Sequence, residues 1–194
     1  MTSLSTFTNP ATYHILSYGT LLGSTLFQSF ISGIIAFRVL PRPQFSTLQK
    51  HTFPVYFMLQ SGLPTLLFLT YPSGALTLLP SSLTPSSSTL STASSITTLA
   101  QDKLAFTLIG SMFVTGLVNM LYIGPQTTKT MELRKHQETR DGKKSYDKGP
   151  HSKEMQALNH KFGVLHGASS VLNLGGLIAM IWYGGLLGEV GYKR

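Results

Sequence analysis

The stretch "LHGASSVLNLGG", Leu165 to Gly176, places a histidine, two serines and an asparagine at the head of an apolar run. On a helix, His166, Ser170 and Asn173 fall at i, i+4 and i+7, with Ser169 and Gly176 beside them. A serine and a histidine on one face are the raw material of nucleophilic catalysis, but a triad also needs an acid to orient the imidazole. None of the apolar segments carries Asp or Glu, and Glu189 lies beyond the end of the last one. The zinc pattern H-E-x-x-H is absent. The chain has no cysteine, which excludes disulfides, thiolate metal sites, iron–sulfur centres and thiol catalysis. A bis-histidine haem needs two ligands at one depth, whereas His14 and His166 begin segments that run in opposite directions. The sequence therefore predicts no enzyme, no metal and no cofactor. The polar stripe is read first as helix-packing material and second as a binding pathway.

The elements that would carry the stripe are membrane helices. Only 11% of the 194 residues are charged, against roughly 25% in soluble domains. About 20 apolar residues cross a 30 Å hydrocarbon core. Four blocks meet that length: 14–37, 54–71 (with Pro64 inside it), 104–123 and 164–188. The fold class expected is an all-α four-helix transmembrane bundle, with a helical loop between the third and fourth spans. Residues 72–103 read as a loop outside the cytosol, because the tract Ser81 to Thr98 is mostly Ser and Thr and cannot bury enough apolar surface to order itself. That tract has the composition of an O-glycosylated segment or of a plain spacer.

Charge placement orients the bundle. Of the fifteen Lys and Arg, twelve lie between spans one and two (Arg38, Arg42, Lys50) or within 124–163. Only Lys103, Lys193 and Arg194 lie on the other side. By the positive-inside rule the basic loops face the cytosol, or the matrix of a mitochondrion, and both termini face away. An endomembrane location is favoured over a mitochondrial one. The net charge of +8 is thus a topology signal. Nucleic acid is not an expected partner, since acids are mixed among the bases and aromatic interleaving is missing.

In lipid, small residues let helices approach, and amides and hydroxyls bond across them. The helix-packing candidates are Gly19, Gly23 and Gln28 on span one, Gln60 on span two, Asn119 on span three, and Gly176, Gly184 and Gly188 on span four. Ser17 and Ser24 share the span-one stripe. A second group should gather at the basic face: Arg38, Arg42, Gln49, His166, Ser169, Ser170 and Asn173. There "FRVLPRPQFSTLQKHTFP" would form a proline-stiffened hairpin joining spans one and two. Membrane lipids, another membrane protein or a second copy of the chain are the expected partners.

Three stretches together resemble the transmembrane protein 205 family of small four-span proteins. They are "SGIIAFRVLPRPQFSTLQKHTFPVYF" (Ser32 to Phe57), "GPQTTKTM" (Gly124 to Met131) and "HGASSVLNLGG" (His166 to Gly176). Gly124 departs from the animal members, which carry an acid before the proline. The resemblance implies a four-span membrane protein of the secretory and endomembrane system, with a transport role suggested and no enzymatic activity implied. Composition and family likeness together lead to a non-enzymatic accessory or scaffold protein, with a small-molecule or lipid transporter as the alternative.

Overall fold

A computed structural model of the chain describes residues 7–71 and 92–192. Among them the order is α1 (Pro10–Leu26), a π-helical turn (Phe27–Ser32), α2 (Gly33–Val39), α3 (Arg42–Leu69), α4 (Thr92–Val118), a second π-helical turn (Asn119–Ile123), α5 (Gly124–Asp141) and α6 (Lys153–Tyr192). These form four continuous helical rods, and the described residues contain no strand. Each rod contains a window apolar enough and long enough to cross a membrane. The architecture is the all-α four-helix membrane bundle that the hydropathy blocks predict.

Local chemistry sets the ends. The Asn9 side chain accepts from the Ala11 amide at 2.9 Å, and Pro10 fills the first turn, where a missing N–H costs nothing. Pro41 caps α3 in an extended conformation, with Pro43 in its first turn. α5 ends at Gly142, whose φ of 61° is open to glycine at little cost. Ser152 caps α6, its hydroxyl accepting from the Met155 amide at 3.2 Å.

Two differences from the sequence reading follow from helices outrunning the membrane. The hairpin expected over residues 37–54 shrinks to Leu40 and Pro41, because α3 begins at Arg42. His51, expected in a loop, is on that helix, with Nδ1 2.9 Å from the Thr47 carbonyl. Pro54 and Pro64 lie inside α3, where neighbouring helices can shield the carbonyls they leave unbonded. Likewise residues 92–103, expected as part of a loop, are helical. The remainder of the Ser/Thr tract, up to residue 91, lies outside the described residues. Span three enters from this side with Asp102 buried, not solvated.

Span two packs on spans one and three, span three on span four, and α5 on the first turns of α6. Leu21, Leu67, Ala105, Ile109, Met112, Ala179, Met180 and Tyr183 form the central apolar cluster. Large apolar side chains such as Ile15, Phe30, Val55, Val114, Val171, Ile178 and Trp182 point outward. In water that surface would be untenable; in lipid it is the solvent-facing side.

Glycine governs the closest approach. A Cβ on Gly116 would lie 2.5 Å from the Gln60 carbonyl oxygen and 2.7 Å from its carbon. That is the carbonyl that Pro64, having no N–H, leaves unbonded within its own helix. Each π-turn also ends at a glycine: Gly33 donates to the Gln28 carbonyl and Gly124 to the Asn119 carbonyl. A Cβ on Gly124 would stand 2.7 Å from that oxygen. Gly124 therefore sits at a tight π-turn closure.

Candidate functional site

Three polar assemblies stand out, and they differ in depth. The first lies at the end of the bundle away from the basic segments. His14 on α1 is 2% exposed and reaches two other rods. Its Nδ1 is 2.9 Å from Thr70 Oγ1 and its Nε2 is 2.6 Å from the Tyr183 hydroxyl. Thr70 donates its own proton to the Leu66 carbonyl at 2.6 Å. The network then assigns Nδ1–H as the donor to Thr70 and Nε2 as the acceptor from Tyr183. Beside it, the Tyr71 hydroxyl donates to Asp102 at 2.9 Å, and the Tyr18 hydroxyl to the Met180 carbonyl at 3.1 Å. The rings of Tyr71 and Phe106 lie 4.6 Å apart. Side chains from all four spans meet in this clamp.

The second assembly is a seam of amides and hydroxyls deeper in the bundle. Gln60, 3% exposed, donates to the Tyr56 hydroxyl at 2.7 Å and lies 3.5 Å from Thr25 Oγ1. Gln28 reaches Gln49 at 3.4 Å. Asn119, fully buried, donates to Asn173 Oδ1 at 3.3 Å, while its own Oδ1 finds no donor among the described residues. Span three thus joins span four through a pair of amides. The predicted packing residues Gln28, Gln60 and Asn119 all lie in this seam.

The group expected at the basic face is distributed over the molecule. Gln49 and Asn173 belong to the seam, with different partners. Arg42 lies over the Phe37 ring at 3.9 Å, and Arg38 is exposed. His166 is exposed and stacks on Phe162, centroids 5.9 Å apart. Ser170 donates back to the His166 carbonyl on its own helix, and Ser169 is half-buried. No hydrogen bond among the described residues joins Arg38 or Arg42 to the span-four stripe. The glycines divide as well. Gly176 faces Thr115 and Gly184 faces the Tyr18 ring, whereas Gly19, Gly23 and Gly188 have open space where a Cβ would stand.

The third assembly is the hairpin α5–turn–α6. Arg134 is sandwiched within it: Nε donates to Asn159 at 2.8 Å, and the guanidinium lies 4.5 Å above the Phe162 ring. Asn159 donates to the Ser145 carbonyl at 3.2 Å, and Ser145 donates through both its amide and its hydroxyl to Glu138. Asp141 accepts from Gln137 and Ser152, and Asp147 from the Lys144 amide. Lys50 on α3 pairs with Glu132 and ties the hairpin to span two.

Chemically, these assemblies hold helices together. The described residues contain no group of three or more His, Cys, Asp or Glu able to hold a metal. Sequence reasoning missed the His14 clamp because its members are up to 169 positions apart and sit at span edges. Depth was the available signal. His14, Thr70 and Tyr183 all lie near the same end of their spans, a comparison drawn above only to weigh haem ligation.

Fold and site together define a multi-pass integral membrane protein, a four-helix bundle with a projecting polar hairpin. Residues 16–136 match the family described as a domain of unknown function, DUF4149, and the chain belongs to that family. It is also similar to the Xanthocillin biosynthesis cluster protein D of Aspergillus fumigatus, 49% identical over 69 residues. That match covers 36% of this chain and 44% of the relative, so the chain spans less than half the length of the curated protein it matches. No solved structure matches.

Proposed function

We propose that the protein is a non-enzymatic accessory or scaffold subunit, transmembrane protein 205-like, that holds a partner at the membrane of the endomembrane system. In this reading the hairpin α5–α6 lies in the cytosol and both termini face away from it. One observation carries the proposal: two membrane helices continue without a break into a hairpin locked by Arg134, Asn159, Ser145 and Glu138. A loop needed only for topology requires positive charge, not a locked tertiary structure. Ordering these residues costs about 1–2 kcal/mol of backbone entropy each, so a fixed shape there argues for recognition. The name of the fungal relative, a protein of a biosynthesis cluster, supports service to enzymes that make a small molecule.

A second reading has its own support. Asn119 Oδ1 is a buried acceptor without a donor among the described residues, and such an atom costs roughly 1–3 kcal/mol unless something fills the place. A small-molecule or lipid transporter whose cargo passes the seam would supply that donor. Purification of the tagged protein from native membranes in mild detergent, with mass spectrometry of what accompanies it, separates the two. A stoichiometric membrane-associated protein supports the accessory role. A lone protein, or a homo-oligomer retaining one small molecule or lipid, overturns it in favour of transport.

A further inference from the structure

The hairpin's charges are mixed in sequence, but the fold engages most of its acids and leaves several of its bases exposed. Glu138 is engaged by Ser145 and Lys144, Asp141 by Gln137 and Ser152, Asp147 by the Lys144 amide, and Glu132 by Lys50. Glu154 lies in the first turn of α6, where a negative charge favours the helix. The acids thus serve largely to build the turn, and mostly with neutral donors. Arg140, Lys148 and Lys153 are exposed, and no acid among the described residues lies within ion-pair distance of them. Tyr146, 52% exposed, lies between Arg140 and Lys148 in the sequence of the turn. The turn that displays them is held by Lys143 donating to the Pro150 carbonyl at 2.9 Å and by Asn159 on Ser145.

Height determines what this cation array can meet. Thr70 and Tyr183 are level with His14, and Phe106 lies against Tyr71. A hydrocarbon core of roughly 30 Å, at 1.5 Å per helical residue, is used up by about Gln126 on span three and Gly163 on span four. Arg140 then stands about 21 Å, and Lys153 about 15 Å, beyond the hydrocarbon edge. Headgroups occupy only about 5–7 Å of that distance, and the field of anionic lipid fades over a Debye length of about 8 Å. Arg140 stands about two Debye lengths beyond the headgroups and Lys153 about one, so the field of the protein's own membrane is weak along the array. The array also lacks the row of aromatic rings that would stack nucleic-acid bases, since Tyr146 stands alone.

We infer that the turn between α5 and α6, through Arg140, Tyr146, Lys148 and Lys153, is a preformed docking surface for an acidic polypeptide segment of a partner protein. This rests on the accessory reading and names the chemistry of its partner. Arg and Tyr are the residues most often found to anchor protein interfaces. A rigid display of cations gives carboxylates fixed positions to meet, which lowers the ordering cost of binding.

The test uses the full-length protein in phosphatidylcholine nanodiscs and a fluorescein-labelled decaglutamate peptide, followed by anisotropy. Binding is expected to weaken about tenfold in the variant combining Arg140→Glu, Lys148→Glu and Lys153→Glu. The variant combining Lys129→Glu and Lys161→Glu, near the headgroups, should remain within about twofold of the parent. If the triple variant does not elute as a folded species, Lys148→Glu alone should weaken binding about threefold. The inference is overturned if the peptide does not bind, or if the turn variants bind as the parent does. It is equally overturned if phosphatidylserine vesicles or polyuridine compete more strongly than unlabelled peptide at equal anionic charge. Peptide binding through the turn, with native membranes yielding a lone protein that retains a small molecule or lipid, would overturn the accessory reading and keep only the turn's preference for acidic polypeptide. A native partner held without the turn would do the reverse.

Discussion

The His14 end and the hairpin end of this bundle are held by different chemistry. At the His14 end the partners among the described residues are mostly rings, hydroxyls and backbone carbonyls, together with the Asp102 carboxyl that accepts from Tyr71. At the hairpin end the locks are charge-assisted: Arg134 on Asn159 and Phe162, Ser145 on Glu138, Lys50 with Glu132. Solvent explains the contrast. A charge surrounded by lipid is costly to maintain, so neutral donors and acceptors do the joining there. In water a neutral hydrogen bond competes with the solvent, and charged groups give the stronger bonds. Each end uses the interactions its surroundings leave strong.

That contrast can be broken from the middle first. Gly116→Ala puts a methyl group against the Gln60 backbone, which cannot rotate out of the way. Destabilisation of about 3 kcal/mol is expected, because overpacking against backbone is at the upper end of such costs. Thermal denaturation in detergent, followed by size exclusion, should show a large drop in Tm. An unchanged Tm would mean that spans two and three are further apart than described.

Next in size is the His14 clamp. His14→Phe removes both ring partners and leaves the Tyr183 hydroxyl without its acceptor, at a cost of about 1–2 kcal/mol. In a double-mutant cycle with Tyr183→Phe the losses should be clearly less than additive. Full additivity would remove the bond from the account. The hairpin should respond separately. Arg134→Ala is expected to cost about 1 kcal/mol and to act locally. Hydrogen exchange should rise over residues 134–160 and stay unchanged around His14 and Tyr183. A rise at both ends together would show that they are one cooperative unit.

The smallest effects sharpen the comparison. Lys50→Met removes an exposed ion pair whose partners are 44% and 53% exposed as side chains. The loss of stability should be among the smallest of the series and should fade in high salt. Gly23→Leu, at a glycine with open space around it, should change the stability of the isolated chain by less than about 0.5 kcal/mol. If that substitution disrupts an oligomer in native membranes, the span-one glycines pack on another chain.

The four rods and the identity of the spans were legible in the sequence, since length, apolar content and the absence of charge are properties of contiguous residues. Twelve bases on one side made the topology equally explicit as an expectation. The helix after span three and the break at Gly142 also follow from local rules, the glycine being free to take a positive φ. Where helices began was less legible. Neither a window of apolar residues nor a Ser/Thr-rich composition reveals that α3 starts at Arg42 and α4 at Thr92, because helix continues in water when caps and neighbours support it.

Depth and facing were decided only in three dimensions. Within the single span-four stripe, Asn173 meets Asn119 while His166 and Ser170 turn outward. Of the glycines expected to pack helices, Gly184 meets Tyr18 while Gly19, Gly23 and Gly188 meet no neighbour among the described residues. The tightest approach of a glycine to the backbone of another helix is at Gly116, which was not among the expected packing glycines. A helix places a residue every 100°, so small errors in tilt, or the extra residue of a π-turn, rotate a whole stripe toward or away from its neighbour. Hydropathy counts residues and is blind to that rotation. The same is true of charge: the sequence interleaves acids and bases along the hairpin, and only folding turns four of the acids onto their donors and leaves Arg140, Lys148 and Lys153 facing the solvent.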